Sequence, residues 1–170
     1  MRSRIAEGYA ERPRTKLPQG RHYLKAARWG FEEMVKHRHL GPAFVFHIVG
    51  ILTMLRAVPF ALYGKDRTLS VAHAAVIGDW WKRTDPATTA ELKFIKRARD
   101  LALKEGALNS IAVASASRIG EGPNSIELSR DYEVDLIDPG ERHNLLAKLR
   151  EIFDWYEAQP SEIEAKLRDD

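Results

Sequence analysis

The stretch PAFVFHIVGILTMLRAVPFALY, Pro42 to Tyr63, decides the fold. It is apolar on nearly all sides when wound as a helix, and such a helix belongs at the centre of a bundle. Pro42 suits a first helical turn, where its missing amide proton has no partner in any case. Pro59 removes one backbone donor and crowds the carbonyl four residues back, so it predicts a kink. Gly64-Lys65-Asp66 supplies the stop. The unbroken apolar run, Ala43 to Leu55, contains His47 and then meets Arg56. Thirteen residues are too few to span a bilayer, which favours a buried helix over a membrane segment.

Other helices are legible on either side. Tyr23, Ala27, Gly30, Phe31, Met34 and Val35 recur at three or four, giving a helix from Gly20 to near His39. Residues 1–19, polar and carrying Pro13 and Pro18, read as a flexible basic arm ahead of one helical-bundle domain over 20–170. A third helix covers about 68–82. Asp85-Pro86 is an N-cap followed by a first-turn proline, and opens a fourth helix running to Glu105 with Gly106 behind it. Residues 107–118 are small, Gly120 to Asn124 is a turn cluster, and Ile126–Leu128 and Tyr132–Leu136 alternate with period two. This segment reads as a short β-hairpin or as an extended loop. Asp138-Pro139-Gly140-Glu141 starts another helix, with Leu145, Leu146, Leu149, Ile152, Phe153 and Tyr156 as its stripe. A capping box at Ser161–Glu164 opens a short terminal helix. The fold class is mainly all-α, an up-and-down bundle of four to five helices.

Composition narrows the function classes. The 170 residues include no cysteine, which excludes disulfides, thiolate zinc sites and a cysteine nucleophile. The opening residues have no apolar run behind their charges, so they do not read as a secretory signal, and a cytoplasmic location is expected. Net charge is only +3, but residues 1–38 hold ten Lys/Arg against four Asp/Glu. That excess suits a solvated tail, or an arm for nucleic acid or an acidic partner. The six histidines show no metal-ligand spacing with a carboxylate, and no phosphate loop, nucleophile elbow or zincin pattern is present. No metal and no cofactor is expected. Adjacent Trp80 and Trp81 point about 100° apart on a helix. Both can be partly buried anchors, or one can lie at a dimer or ligand surface.

The candidate site lies in FIKRARDLALKEG, Phe94 to Gly106. Leu92, Phe94, Ile95, Ala98, Leu101, Ala102 and Leu103 share a broad apolar arc, and Lys93, Lys96, Arg97, Asp100 and Lys104 oppose it. Arg99 falls between Ile95 and Leu103, inside the apolar half. There it needs an acid, a carbonyl or a phosphate. Arg97, Asp100 and Lys104 are spaced to interact along one face. Arg56, at the end of the central apolar run, is expected near the fourth helix with Asp100 as its partner.

Two segments resemble the HEPN superfamily, whose helical bundles include many bacterial proteins of unknown role. Leu55-Arg56-Ala57-Val58 is similar to the Arg-Ser-Val ending of an apolar helix in that family. Arg99-Asp100, with Lys104 four residues beyond Asp100, is similar to its arginine, asparagine and histidine motif. The resemblance covers about 20–106. It implies a homodimer in which Arg99, Asp100 and Lys104 occupy the positions of a metal-independent endoribonuclease. Two departures change that chemistry. Lysine, with an unperturbed pKa of about 10.4, shuttles protons poorly near neutrality. Asp100 adds negative charge where phosphate would bind. Arg99 and Lys104 still suit anion binding. The expected function is therefore a non-catalytic RNA- or protein-binding protein using Arg56, Arg97, Arg99, Asp100 and Lys104. The alternatives are a ribonuclease using Arg99 and Lys104, and a purely structural bundle with Arg99 in a buried ion-pair network.

Overall fold

A computed structural model describes residues 16–36, 41–84, 89–100, 102–103, 111–119, 126–138 and 141–167, with 41–45, 111–119, 126–138 and 141–143 described as backbone. The protein is a helical bundle. Among the described residues the helices are α1 (Pro18–Lys36), α2 (Gly41–Gly64), α3 (Val71–Arg83), α4 (Ala90–Asp100) and α5 (Leu145–Lys166). Between α4 and α5 lies an antiparallel sheet of β1 (Ile111–Ile119), β2 (Ile126–Asp138) and β3 (Glu141–Asn144), in that order.

α2 is the central helix that its composition predicts. Ile48, Ile51, Leu52, Leu55, Val58 and Leu62 are buried at helical spacing. α1 contributes Leu24, Ala27, Phe31 and Met34 to the same core. A Cβ built on Gly20 would meet Leu62, and one on Gly30 would meet Ile51, so α1 and α2 run antiparallel. Two ion pairs, Arg21 with Glu164 at 2.7 Å and Arg28 with Glu157, likewise set α5 antiparallel to α1. The helix runs through Pro59 without interruption. The stretch Phe46–Leu69 is long and apolar enough to cross a membrane, contrary to the thirteen-residue argument, and 44% of its apolar window is buried in the bundle.

The helix ends differ from the sequence reading where caps come from afar. α1 starts at Pro18, and Leu17 ahead of it is fully buried, so the last residues of the expected flexible arm belong to the fold. An apolar Leu17 cannot cap. Asp66, in a single 3-10 turn (Asp66–Leu69), does so instead: its Oδ1 accepts from the Gln19 amide at 3.0 Å and its Oδ2 from Gly20 at 2.7 Å. The 3-10 turn occupies the place expected for the start of α3. That helix begins at Val71 with Ser70 as its N-cap. His73 bonds Ser70 Oγ through Nδ1 at 2.8 Å and meets the Lys16 carbonyl through Nε2 at 2.9 Å. The Lys16 ammonium donates to the Leu167 carbonyl. One polar node therefore ties the starts of α1 and α3 to the end of α5.

Three boundaries are corrected. The expected start of α5 at Asp138 is instead the last residue of β2, Glu141 already belongs to β3, and residues 139–140 lie outside the described residues. Asn144 caps the helix, its side chain accepting from the Ala147 amide at 3.0 Å. The expected break before Ser161 is absent, and α5 is continuous through Pro160. Tyr156, Pro160, Ile163 and Leu167 stay in register as one buried stripe, and that packing outweighs the lost backbone bond. The two alternating segments near 126 and 132 form one strand, β2, and its partner β1 is the small-residue stretch. Register shifts between Val113 and Ser115, and between Ser117 and Arg118, interrupt the ladder between β1 and β2. The Asp85-Pro86 signal and Gly106 lie outside the described residues.

A candidate anion-binding face on α4

The backbone of α4 places Leu92, Ile95 and Ala98 toward the core. The buried arc is narrower than the sequence suggests, because Leu103 is 57% exposed and Ala102 and Leu103 lie in a π-helical turn. Arg99 is consequently on the flank of the arc rather than in its middle. Its Nη2 donates to Asp100 Oδ1 at 2.6 Å and its Nε to the same oxygen at 3.2 Å. Each side chain of this pair is 27% exposed. Such a half-exposed pair, held between neighbours in sequence, contributes little to stability. The acid that Arg99 requires thus comes from the next residue and not from another helix.

Lys93, Lys96 and Arg97 are exposed side chains of α4. Their spacing of three and four residues makes them one short cationic strip. Lys104, the third residue of the expected motif with Arg99 and Asp100, lies outside the described residues. The expected Arg56–Asp100 bridge is not formed. Arg56 is half-buried, with its guanidinium 5.7 Å from the Phe60 ring centroid. It faces α4 at Leu92, Ile95 and Lys96, N-terminal to Asp100.

Arg56 and Lys96 open onto a cavity of about 220 Å³ between α2, α4 and α5, whose other walls are Pro59, Phe60, Leu92, Ile95 and Tyr156. Tyr156 is 1% exposed, and its hydroxyl has no hydrogen-bond partner among the described residues. Burial pushes that hydroxyl far above the usual tyrosine range, with Arg56 drawing it down and Glu91 adding to the rise. In the sequence Tyr156 reads as one more core residue of the α5 stripe. The only available signal was a hydroxyl in a run of aliphatic and phenylalanine positions. The tryptophan pair divides as the geometry of adjacent positions requires. Trp80 is buried and donates through Nε1 to Gln159 Oε1 at 2.9 Å, while half-buried Trp81 stacks on Tyr63 with centroids 4.5 Å apart and meets Phe60 edge-on at 5.8 Å. No family model, curated protein or solved structure matches the chain.

Proposed function

We propose that the protein is a HEPN-like, non-catalytic binding protein of the cytoplasm that engages RNA backbone through the cationic face of α4. The observation that carries this reading is the Arg99–Asp100 pair. A guanidinium bonded to its neighbour's carboxylate is a poor transition-state stabiliser, whereas the exposed face of α4 with Lys93, Lys96 and Arg97 suits phosphate contact. The test is RNA binding measured across a salt series. Wild type is expected to bind without cleaving. Changing Lys93, Lys96 and Arg97 together to glutamine should flatten the slope of log K against log salt by about 2, at roughly 0.7 per phosphate contact on a single strand. Unaltered binding by the triple variant removes the proposed face. Cleavage that Arg99→Ala abolishes would replace this reading by the ribonuclease one, and the absence of any RNA binding would leave the structural reading.

A specific surface favours a second copy of the chain as a partner. α2 carries a strip with no charge between Phe46, which is 77% exposed, and exposed Thr53, with Val49 and Gly50 half-buried between them. Nothing among the described residues lies within 4 Å of a Cβ built on Gly50, so another helix can approach the backbone there. Apolar surface of this kind on a core helix suits a homodimer contact. Phe46→Glu should convert a dimer into a folded monomer in sedimentation equilibrium. A wild type that sediments as a monomer at every concentration defeats the assignment.

A further inference from the structure

We infer that the cavity between α2, α4 and α5 is a binding site for a small organic anion, a carboxylate on a compact apolar body. The inference does not rest on RNA binding. Pro59, Phe60, Leu92 and Ile95 form apolar walls, and Arg56 and Lys96 bring two cations to the same space. Among the described residues that line the cavity there are two cations and no carboxylate, while Glu91 acts on the Tyr156 hydroxyl from outside the lining. The decisive feature is Tyr156. A phenylalanine would fill the same place in the α5 stripe, yet the chain buries a hydroxyl with no acceptor among the described residues. A buried donor left unbonded is costly. A carboxylate seated against Arg56 would accept from the hydroxyl and from the guanidinium together, as charge-assisted hydrogen bonds. The volume of about 220 Å³ is below that of sites for drug-sized ligands. It suits a single-ring or short branched acid rather than a nucleotide. Bare phosphate would satisfy the cations and leave the apolar walls wet.

The experiment titrates the full chain with benzoate, benzyl alcohol and inorganic phosphate. Trp81 lies against Phe60 in the cavity wall, so tryptophan fluorescence reports occupancy, and a thermal shift gives an independent measure. Benzoate should bind saturably, and benzyl alcohol and phosphate each at least about tenfold more weakly, since each lacks one half of the recognition. Arg56→Gln should weaken benzoate binding by about tenfold, the loss of one charge-assisted contact. Tyr156→Phe should weaken it by roughly fivefold while leaving the free protein as stable as wild type or more so, because it removes an unbonded hydroxyl. The opposite pairing, a destabilised Tyr156→Phe that binds benzoate like wild type, assigns the hydroxyl to the fold and overturns the proposal. No saturable response to benzoate, or equal binding of benzoate and benzyl alcohol, overturns it as well.

Discussion

Asp66→Ala should lower the unfolding free energy by about 3 kcal/mol, the sum of a lost helix cap and a backbone donor left buried without a partner. The carboxylate is fully buried and receives two amides from the first turn of α1, 46 and 47 residues away. Asp66→Asn keeps one acceptor oxygen but turns an NH2 group toward the second amide, so its cost should be smaller than that of alanine. Chemical denaturation at neutral pH measures both. Equal stability of Asp66→Ala and wild type would mean that water serves the start of α1 equally well. pH adds an independent signature. Burial raises the Asp66 carboxyl above its ordinary value, although the two amides and His73 draw it down. The folded state therefore holds its proton more tightly than the unfolded state. This contribution destabilises the fold at neutrality, recedes as pH falls through the raised pKa, and is gone below the unfolded value. Glu162, held below the usual carboxylate range by bonds from Lys166 and Arg83, acts in the opposite sense, and its stability is lost as pH falls. The comparison should thus be wild type against Asp66→Asn. Glu162 cancels in that difference, and wild type should gain relative to the variant between pH 7 and pH 4.

How far the sequence discloses this structure depends on how local each cause is. α2 is legible because a helix apolar on nearly all sides packs at the centre of a bundle, even though Phe46 and Phe60 stay exposed. The stripes of α1 and α5 are legible for the same reason, since burial repeats along one helix face. Asp66 reads only as part of a stop signal, because nothing near it in sequence indicates that Leu17 leaves a helix start uncapped. Pro160 reads as a break because propensity is local, whereas the packing of Ile163 and Leu167 that overrides it is not. At the candidate site, the cationic strip of α4 was visible in the spacing of Lys93, Lys96 and Arg97. Arg99 reads as deeper than it lies because helical periodicity carries Leu103 into the apolar arc, whereas Ala102 and Leu103 lie in a π-turn. The cavity was invisible, since Arg56, Lys96 and Tyr156 come from three helices whose approach no motif encodes.

Gly20→Ala should destabilise the protein by about 2 kcal/mol, the cost of overpacking a filled core. Helix propensity alone predicts the reverse, a gain of about 1 kcal/mol on replacing glycine inside a helix. Geometry decides between the two. A Cβ at Gly20 would lie 2.3 Å from Leu62 Cδ2 and 2.7 Å from its Cγ, closer than real contacts permit. Leu62 is fully buried, so its side chain has no solvent to turn into, and α1 would have to move away from α2. That movement would also stretch the bonds from the Gln19 and Gly20 amides to Asp66, coupling the glycine to the polar node. Gly78→Ala in α3 supplies the control, because nothing among the described residues lies within 4 Å of its Cβ position and propensity should act unopposed. The two alanines should therefore shift the thermal midpoint in opposite directions. Adding Leu62→Ala to Gly20→Ala should cost less than the sum of the single changes, since the second substitution removes the atoms that the new methyl strikes. Strict additivity of the pair, or stabilisation by Gly20→Ala, would show that α1 and α2 are not held as close at this end of the bundle as the structure has them.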